Sequence, residues 1–208
     1  MYRPKIFQED DRDKLVTFMK ANSFATLVSI VDDLPYASHI PMVVKIDGDT
    51  IKLVGHLAKQ NPQWQAFPNS ESLAIFTGAH SYISPTLYEQ HESVPTWNYI
   101  AVHAYGLPKI ITFNDTPELM SEMINDMVDN YEADYKSHWQ SLSNKYQAGM
   151  MKDIIGFELT ITRLEGKYKL SQNKSSTDRK NISTALLESP DPLVRAVGVE
   201  MKQQIKSD

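Results

Sequence analysis

Residues 24–56 read FATLVSIVDDLPYASHIPMVVKIDGDTIKLVGH. This stretch decides the fold. Phe24 to Val31 is dense in β-branched and apolar side chains, which predicts a buried strand. Asp32-Asp33-Leu34-Pro35 is a turn, and Pro35 to Ile46 predicts a second strand. Alternation puts Ser38, Ile40, Met42 and Val44 on one face of it, and Ala37, His39, Pro41 and Val43 on the other. Pro41 has no amide proton for a ladder, so an edge or a bulge is expected there. Asp47-Gly48 is a hairpin signal, and Thr50 to His56 returns as a third strand. Short turns between strands mean antiparallel pairing.

Helical patterning lies on both sides of this core. Upstream, Leu15, Val16, Phe18 and Met19 share one face of a helix over residues 9–21, closed by Asn22-Ser23. Downstream, residues 57–67 break the strand pattern around a short helix. Leu73 to His80 is a strand, residues 81–97 a long loop, and Asn98 to Thr112 a long strand with a bend or bulge at Gly106-Leu107-Pro108. Residues 117–131 carry Leu119, Met120, Met123, Ile124, Met127 and Val128 at helical spacing behind Thr116-Pro117. A shorter helix over 144–152, a strand over 154–164 and helices over 178–187 and 193–205 complete the chain. Strands in sequence followed by helices predict an α+β fold built on a small antiparallel barrel.

Composition narrows the function. With 208 residues, 41% of them hydrophobic, the chain can bury one core plus a small appendage. There is no cysteine, so disulfides, thiolate zinc sites and cysteine nucleophiles are excluded. The absence fits a reducing compartment, and no stretch approaches the ~20 apolar residues of a bilayer span. A soluble cytoplasmic protein with no membrane contact is expected. The net charge of −5 gives no footprint for nucleic acid, and direct DNA contact is not expected. The six histidines have no short ligand spacing to one another, so no metal site is expected.

No P-loop, nucleophile elbow, HExxH or glycine-rich dinucleotide turn occurs. Four stretches carry the remaining signal. GHLAKQNPQW (55–64) gathers His56, Lys59, Gln60 and Asn61 where a strand gives way to a helix start, which suits an anion and equally suits a solvated turn. SHIP (38–41) puts His39 in a strand paired with the one that bears His56. FTGAHSYISP (76–85) and VPTWNYIAVHAYG (94–106) supply Tyr82, Tyr88, Trp97, Tyr99 and Tyr105, which suit a planar ligand, a barrel core or a dimer interface. EGKYKLSQNK (165–174) clusters Lys167, Lys169, Gln172, Asn173 and Lys174, either as an anion clamp or as a basic solvated loop.

Together with MYRPKIFQEDD at the start, FATLVS, IIGFELTITRLEGKYKLSQNK (154–174) and Asp178-Arg179, these stretches resemble in order and spacing the PaiB-like family of FMN-binding negative transcriptional regulators. The resemblance spans nearly the whole chain. It implies a flavin split barrel similar to pyridoxamine-phosphate oxidase: six antiparallel strands with flanking helices and a C-terminal helical extension over 178–208. It implies a single FMN-binding domain over 1–208, a homodimer, and FMN at the subunit interface. Residues 38–41 and 56–61 would line the flavin, with Lys59 matched to the phosphate and His39, Ile40, Pro41, His56 and Asn61 around it. Trp97, Lys169, Gln172 and Asn173 match family motifs and join the candidate set. The function implied is flavin or small-molecule sensing in transcriptional control. A flavin-dependent oxidoreductase and a haem-binding split-barrel protein are the alternatives, and FMN is the expected cofactor.

Overall fold

In a computed structural model, which describes residues 1–207, the chain forms eight strands and six α-helices. The strands are β1 (Gln8–Glu9), β2 (Phe24–Val31), β3 (Leu34–Pro41), β4 (Val43–Asp47), β5 (Thr50–Ala58), β6 (Ser72–Ile83), β7 (Thr96–Ile111) and β8 (Ile154–Lys169). The helices are α1 (Arg12–Ala21), α2 (Pro117–Tyr131), α3 (Tyr135–Ser141), α4 (Asn144–Lys152), α5 (Ser176–Leu187) and α6 (Pro192–Ser207). Two compact units result. One comprises residues 1–18, 77–102 and 165–208, the other residues 19–76 and 103–164.

The second unit holds the barrel. The sheet runs β3-β2-β6-β7-β8-β5-β4, so β3 and β4 lie at opposite ends of the order. Yet only Met42 separates them in sequence. The sheet must therefore curl until its two ends approach, giving a split rather than a closed barrel. Met42 is fully buried at this corner, and its amide donates to the carbonyl of Ser23 at 2.9 Å. A Cβ on Gly55 of β5 would lie 3.2 Å from the Pro41 carbonyl oxygen and 3.1 Å from the Phe157 ring. The seam is this tight because residue 55 has no side chain. The break at Met42 and the extra β1 are why eight strands replace the expected six. The single strand expected over residues 35–46 turns a corner one residue after Pro41, and the two-residue β1 pairs with β8.

Hairpin turns set the register. Asp32 and Asp33 take positive φ (50° and 61°) in the two-residue turn that pairs Val31 with Leu34. Gly48 (φ 57°) does so in the turn that pairs Asp47 with Thr50. Such backbone twist matches the strands on either side. Leu27, Leu53, Phe67, Phe76, Phe157 and Leu159 are fully buried, with Phe67 and Phe157 edge-to-face at 5.3 Å. On the other face of β5, Val54 packs with Ile111, Met120, Met123 and Met151. The methionine stripe of α2 is therefore core, and Lys45 of β4 ties the helix down through Glu122 and Asp126, both at 2.7 Å.

The first unit is held by helix-to-helix and helix-to-strand packing. Gly198 of α6 admits α5 closely, since a Cβ there would meet Leu186 and Leu187 at 2.9–3.1 Å. Ser183 Oγ donates to the Gly198 carbonyl at 3.1 Å. Phe18 meets Tyr168 edge-on at 5.8 Å.

Four sequence expectations shift. The strand expected over 154–164 continues to Lys169, so Lys167 and Lys169 are strand residues and not a loop after it. The long loop is shorter, because β6 runs to Ile83 and β7 starts at Thr96. Residues 135–141 form a helix that no periodicity announced. No break interrupts β7 at Gly106, which instead lets β8 come close. A Cβ at Gly106 would stand 2.1 Å from the Thr160 carbonyl oxygen and 2.7 Å from Leu159 Cδ2.

Gly106→Ala should therefore cost about 3 kcal/mol, since backbone cannot move aside as a side chain can. Gly48→Ala, which meets nothing within 4 Å but sits at φ 57°, should cost about 1 kcal/mol. Urea midpoints of the two variants check this, and a Gly48 variant as damaged as the Gly106 variant would contradict it.

Candidate functional site

In the barrel unit the candidate residues gather where β3 meets the turn after β5. The turn Ala58–Asn61 is closed by the Asn61 amide donating to the Ala58 carbonyl at 2.9 Å. Asn61 then works twice. Its Oδ1 accepts from the Gln63 amide at 2.9 Å, capping the 3-10 turn Pro62–Ala66, and its Nδ2 donates to Ser38 Oγ of β3 at 2.9 Å. Pro62 at the first helical position needs no donor. Beneath lies Gln63, fully buried, whose Nε2 donates to the Leu27 carbonyl (2.9 Å) and Ser29 Oγ (3.1 Å). Ser29 in turn bonds Ser72 at 2.7 Å. The turn is thereby fastened to the β2–β3 hairpin.

Lys59 sits on this fastened turn with its main chain held at both ends. Its amide donates to the Asp153 carbonyl at 2.9 Å, and its carbonyl accepts from Trp64 Nε1 at 3.0 Å. The side chain is exposed, and its ammonium makes no ion pair among the described residues. On β3, His39 stands directly across from Thr26, whose hydroxyl lies 3.0 Å from Nδ1. Ile40 turns inward to the core and Pro41 closes the seam. Ser38, Asn61 and Lys59 thus offer a hydroxyl, an amide and an unpaired cation on one rigid support, while the imidazole of His39 lies on the other face of β3 beside Thr26. That donor set fits a phosphate and a polyol chain, the polar parts of FMN.

His56 is the exception. Its ring lies on the same face of β5 as Val54, and its Nδ1 is 3.3 Å from Sδ of Met127 in α2. It lines an apolar cavity of about 410 Å³ walled by α2, α3 and α4, whose lining does not include His39, Lys59 or Asn61. Burial pulls its pKa below the ordinary 6.5.

The other candidates belong to the first unit. Trp97 is half exposed and meets Tyr82 edge-on at 6.1 Å, with His80 tilted toward it at 6.2 Å. Lys169 bonds the hydroxyl of Thr96. Its pKa is lowered by burial and then by the neighbouring Lys167, so an anion beside it would relieve both costs. Gln172 is spent on the turn itself: its Oε1 accepts from the Leu170 amide at 2.7 Å and its Nε2 donates to the Tyr168 carbonyl. Asn173 is exposed on the same turn. Ser171 just before them takes φ 64°, and buried Asn98 fixes it through a 2.9 Å bond to its hydroxyl. Sequence reasoning missed Thr26, Gln63 and Asn98, which orient the candidates. Cross-strand register signals the first, and a buried polar residue in an apolar strand signals Asn98.

Residues 1–163 match the family model described as "Putative FMN-binding domain". Over 209 residues, 99% of each chain, the sequence is 34% identical to protease synthase and sporulation protein PAI 2 of Bacillus subtilis (strain 168). The chain belongs to the PaiB-like FMN-binding family. FMN is the cofactor that membership assigns to it. Uncharacterized protein AN0679 of Emericella nidulans is 31% identical over 222 residues, 88% of each chain. The fold is shared with the flavocytochrome Anf3 of Azotobacter vinelandii (TM-score 0.61, 14% identity, 81% of this chain and 72% of that one). It is shared too with the FAD and heme binding protein of Mycobacterium smegmatis (TM-score 0.58, 16% identity, 91% and 96%). Among the described residues no helix is long and apolar enough to cross a membrane.

The burial of His56 gives a pH test. A base whose folded pKa is depressed stabilises fully above its unfolded pKa, and that stability is lost as pH falls below it, because only the unfolded chain takes up the proton. The protein should therefore lose urea resistance between about pH 7.5 and pH 5.5, and His56→Leu should lose less over the same window. Equal losses in both would show that His56 does not contribute.

Proposed function

We propose that this PaiB-like protein is a homodimeric flavin-dependent regulator in which Lys59 binds the FMN phosphate. Asn61 and the Ser38 hydroxyl complete the polar cradle, Ile40 and Pro41 back it, and His39 adds a contact from the other face of β3. Trp97, Lys169, Gln172 and Asn173 form the second set of cofactor contacts. Residues 1–208 act as one FMN-binding domain with a C-terminal helical extension over 178–208. The observation that carries the reading is the exposed, unpaired ammonium of Lys59 on a turn whose main chain is fixed. FMN, when bound, supplies reversible one- or two-electron redox capacity. The chain's part is to orient it and set its surroundings.

A control role draws support from the full-length relative, whose name links it to protease synthesis and sporulation. The acidic balance favours control through flavin or small-molecule sensing and not through the protein's own DNA contact. A sequence-specific nanomolar DNA complex at physiological salt would overturn that part. The cysteine-free sequence favours a cytoplasmic setting. The dimer is supported by apolar side chains left exposed in each unit: Phe24 (69%) and Leu34 (68%) on the hairpin, Trp97 (53%) on β7.

A charge-assisted hydrogen bond of this kind is worth roughly 1.5–3 kcal/mol, or about tenfold to a hundredfold in affinity. Lys59→Ala should lose that factor for FMN and almost nothing for riboflavin, which lacks the phosphate. Equal losses for the two ligands would remove Lys59 from the phosphate. Light scattering of the same samples should give the mass of two chains, and a monomer that binds FMN at full stoichiometry would refute a shared site.

A further inference from the structure

The cavity beside His56 calls for an occupant of its own. It lies within the barrel unit, in the helical segment 117–152 and the strand ends beneath it, and its lining contains none of the residues proposed above for the flavin. At about 410 Å³ it falls in the size range of small-molecule sites. Its walls carry the rings of Tyr131, Tyr135 and Trp139 together with Met127, Met150 and Met151.

Charge selects the ligand. Glu132 is the one carboxylate in the lining, and no lysine or arginine lines the cavity. On the same helical segment, Lys136 and Asp129 neutralise each other at 2.8 Å. His56 is held neutral by burial. Aromatic faces attract cations through their negative quadrupole, and methionine sulfur packs readily against aromatic rings. An anion would find a carboxylate and ring faces with no cation to meet it. We propose that this cavity is a second ligand site, separate from the flavin, which takes a lipophilic aromatic cation between the rings of Tyr131, Tyr135 and Trp139 with its charge toward Glu132.

A pair of ions equal in shape and opposite in charge tests this. Tetraphenylphosphonium and tetraphenylborate are titrated calorimetrically into the full-length, FMN-loaded protein. The phosphonium should bind once per chain, and the borate at least tenfold more weakly. Glu132→Gln should weaken phosphonium binding about threefold, the size expected of one partly exposed charge pair, with FMN content unchanged. Met150→Trp, at a half-exposed wall position, should abolish phosphonium binding while the unfolding midpoint stays in place. Absence of phosphonium binding, equal binding of the two ions, or binding indifferent to Glu132→Gln would overturn the proposal. The FMN content read in the same samples separates this outcome from any failure of the flavin site.

Discussion

One residue, Met42, joins two strands that stand at opposite ends of the sheet order. Everything in the barrel unit follows from that constraint. A sheet whose ends are tied by a single buried residue has to curl, and curling forces a close approach between β3 and β5. Gly55 makes the approach possible, since any side chain there would press on the Pro41 carbonyl and the Phe157 ring. The same curl sets Ser38 of β3 within hydrogen-bond reach of Asn61, in the turn after β5. Residues twenty-odd positions apart thus become one surface.

Buried polar groups then make the surface rigid. A polar atom left unsatisfied in an interior costs about 1–3 kcal/mol, so the buried Gln63 Nε2 needs its partners on β2 and acts as a clamp. Gln63 meets the Leu27 carbonyl and Ser29, and Ser29 meets Ser72. In the first unit Asn98 does the same for the left-handed Ser171. In both places the backbone is fixed by buried bonds while Lys59 and Asn173 remain exposed beside them. That division, a rigid support beneath exposed donors, is what a binding site built without glycine loops requires.

Most of this could be read in the sequence, and the exceptions have physical causes. Local signals were legible: the Asp32-Asp33 and Gly48 turns, the α2 stripe from Met120 to Met127, and the α4 boundaries at Asn144 and Lys152 all depend on near neighbours. The corner at Met42 was not, because Met42 and Val44 keep strict alternation with Ile40 and the break is imposed by where the strands pair. The helix Tyr135–Ser141 was silent too, being only seven residues long with Tyr135 and Trp139 its sole large apolar pair. Of the site, the stretch Lys59–Asn61 was legible as a donor cluster. The position of His56 was not: alternation along β5 says that it faces away from Leu57, but only tertiary packing says that α2 and its Met127 wait on that side.

The account's central claim is that the β3 edge and the turn after β5 together hold the phosphate of FMN. The most direct measurement is a crystal structure of the protein with FMN bound. The account predicts phosphate oxygens within hydrogen-bond distance of Lys59 Nζ and the Asn61 side-chain amide, with Ser38 alongside. Phosphate density away from that turn, for instance between Lys169 and Thr96, would contradict it.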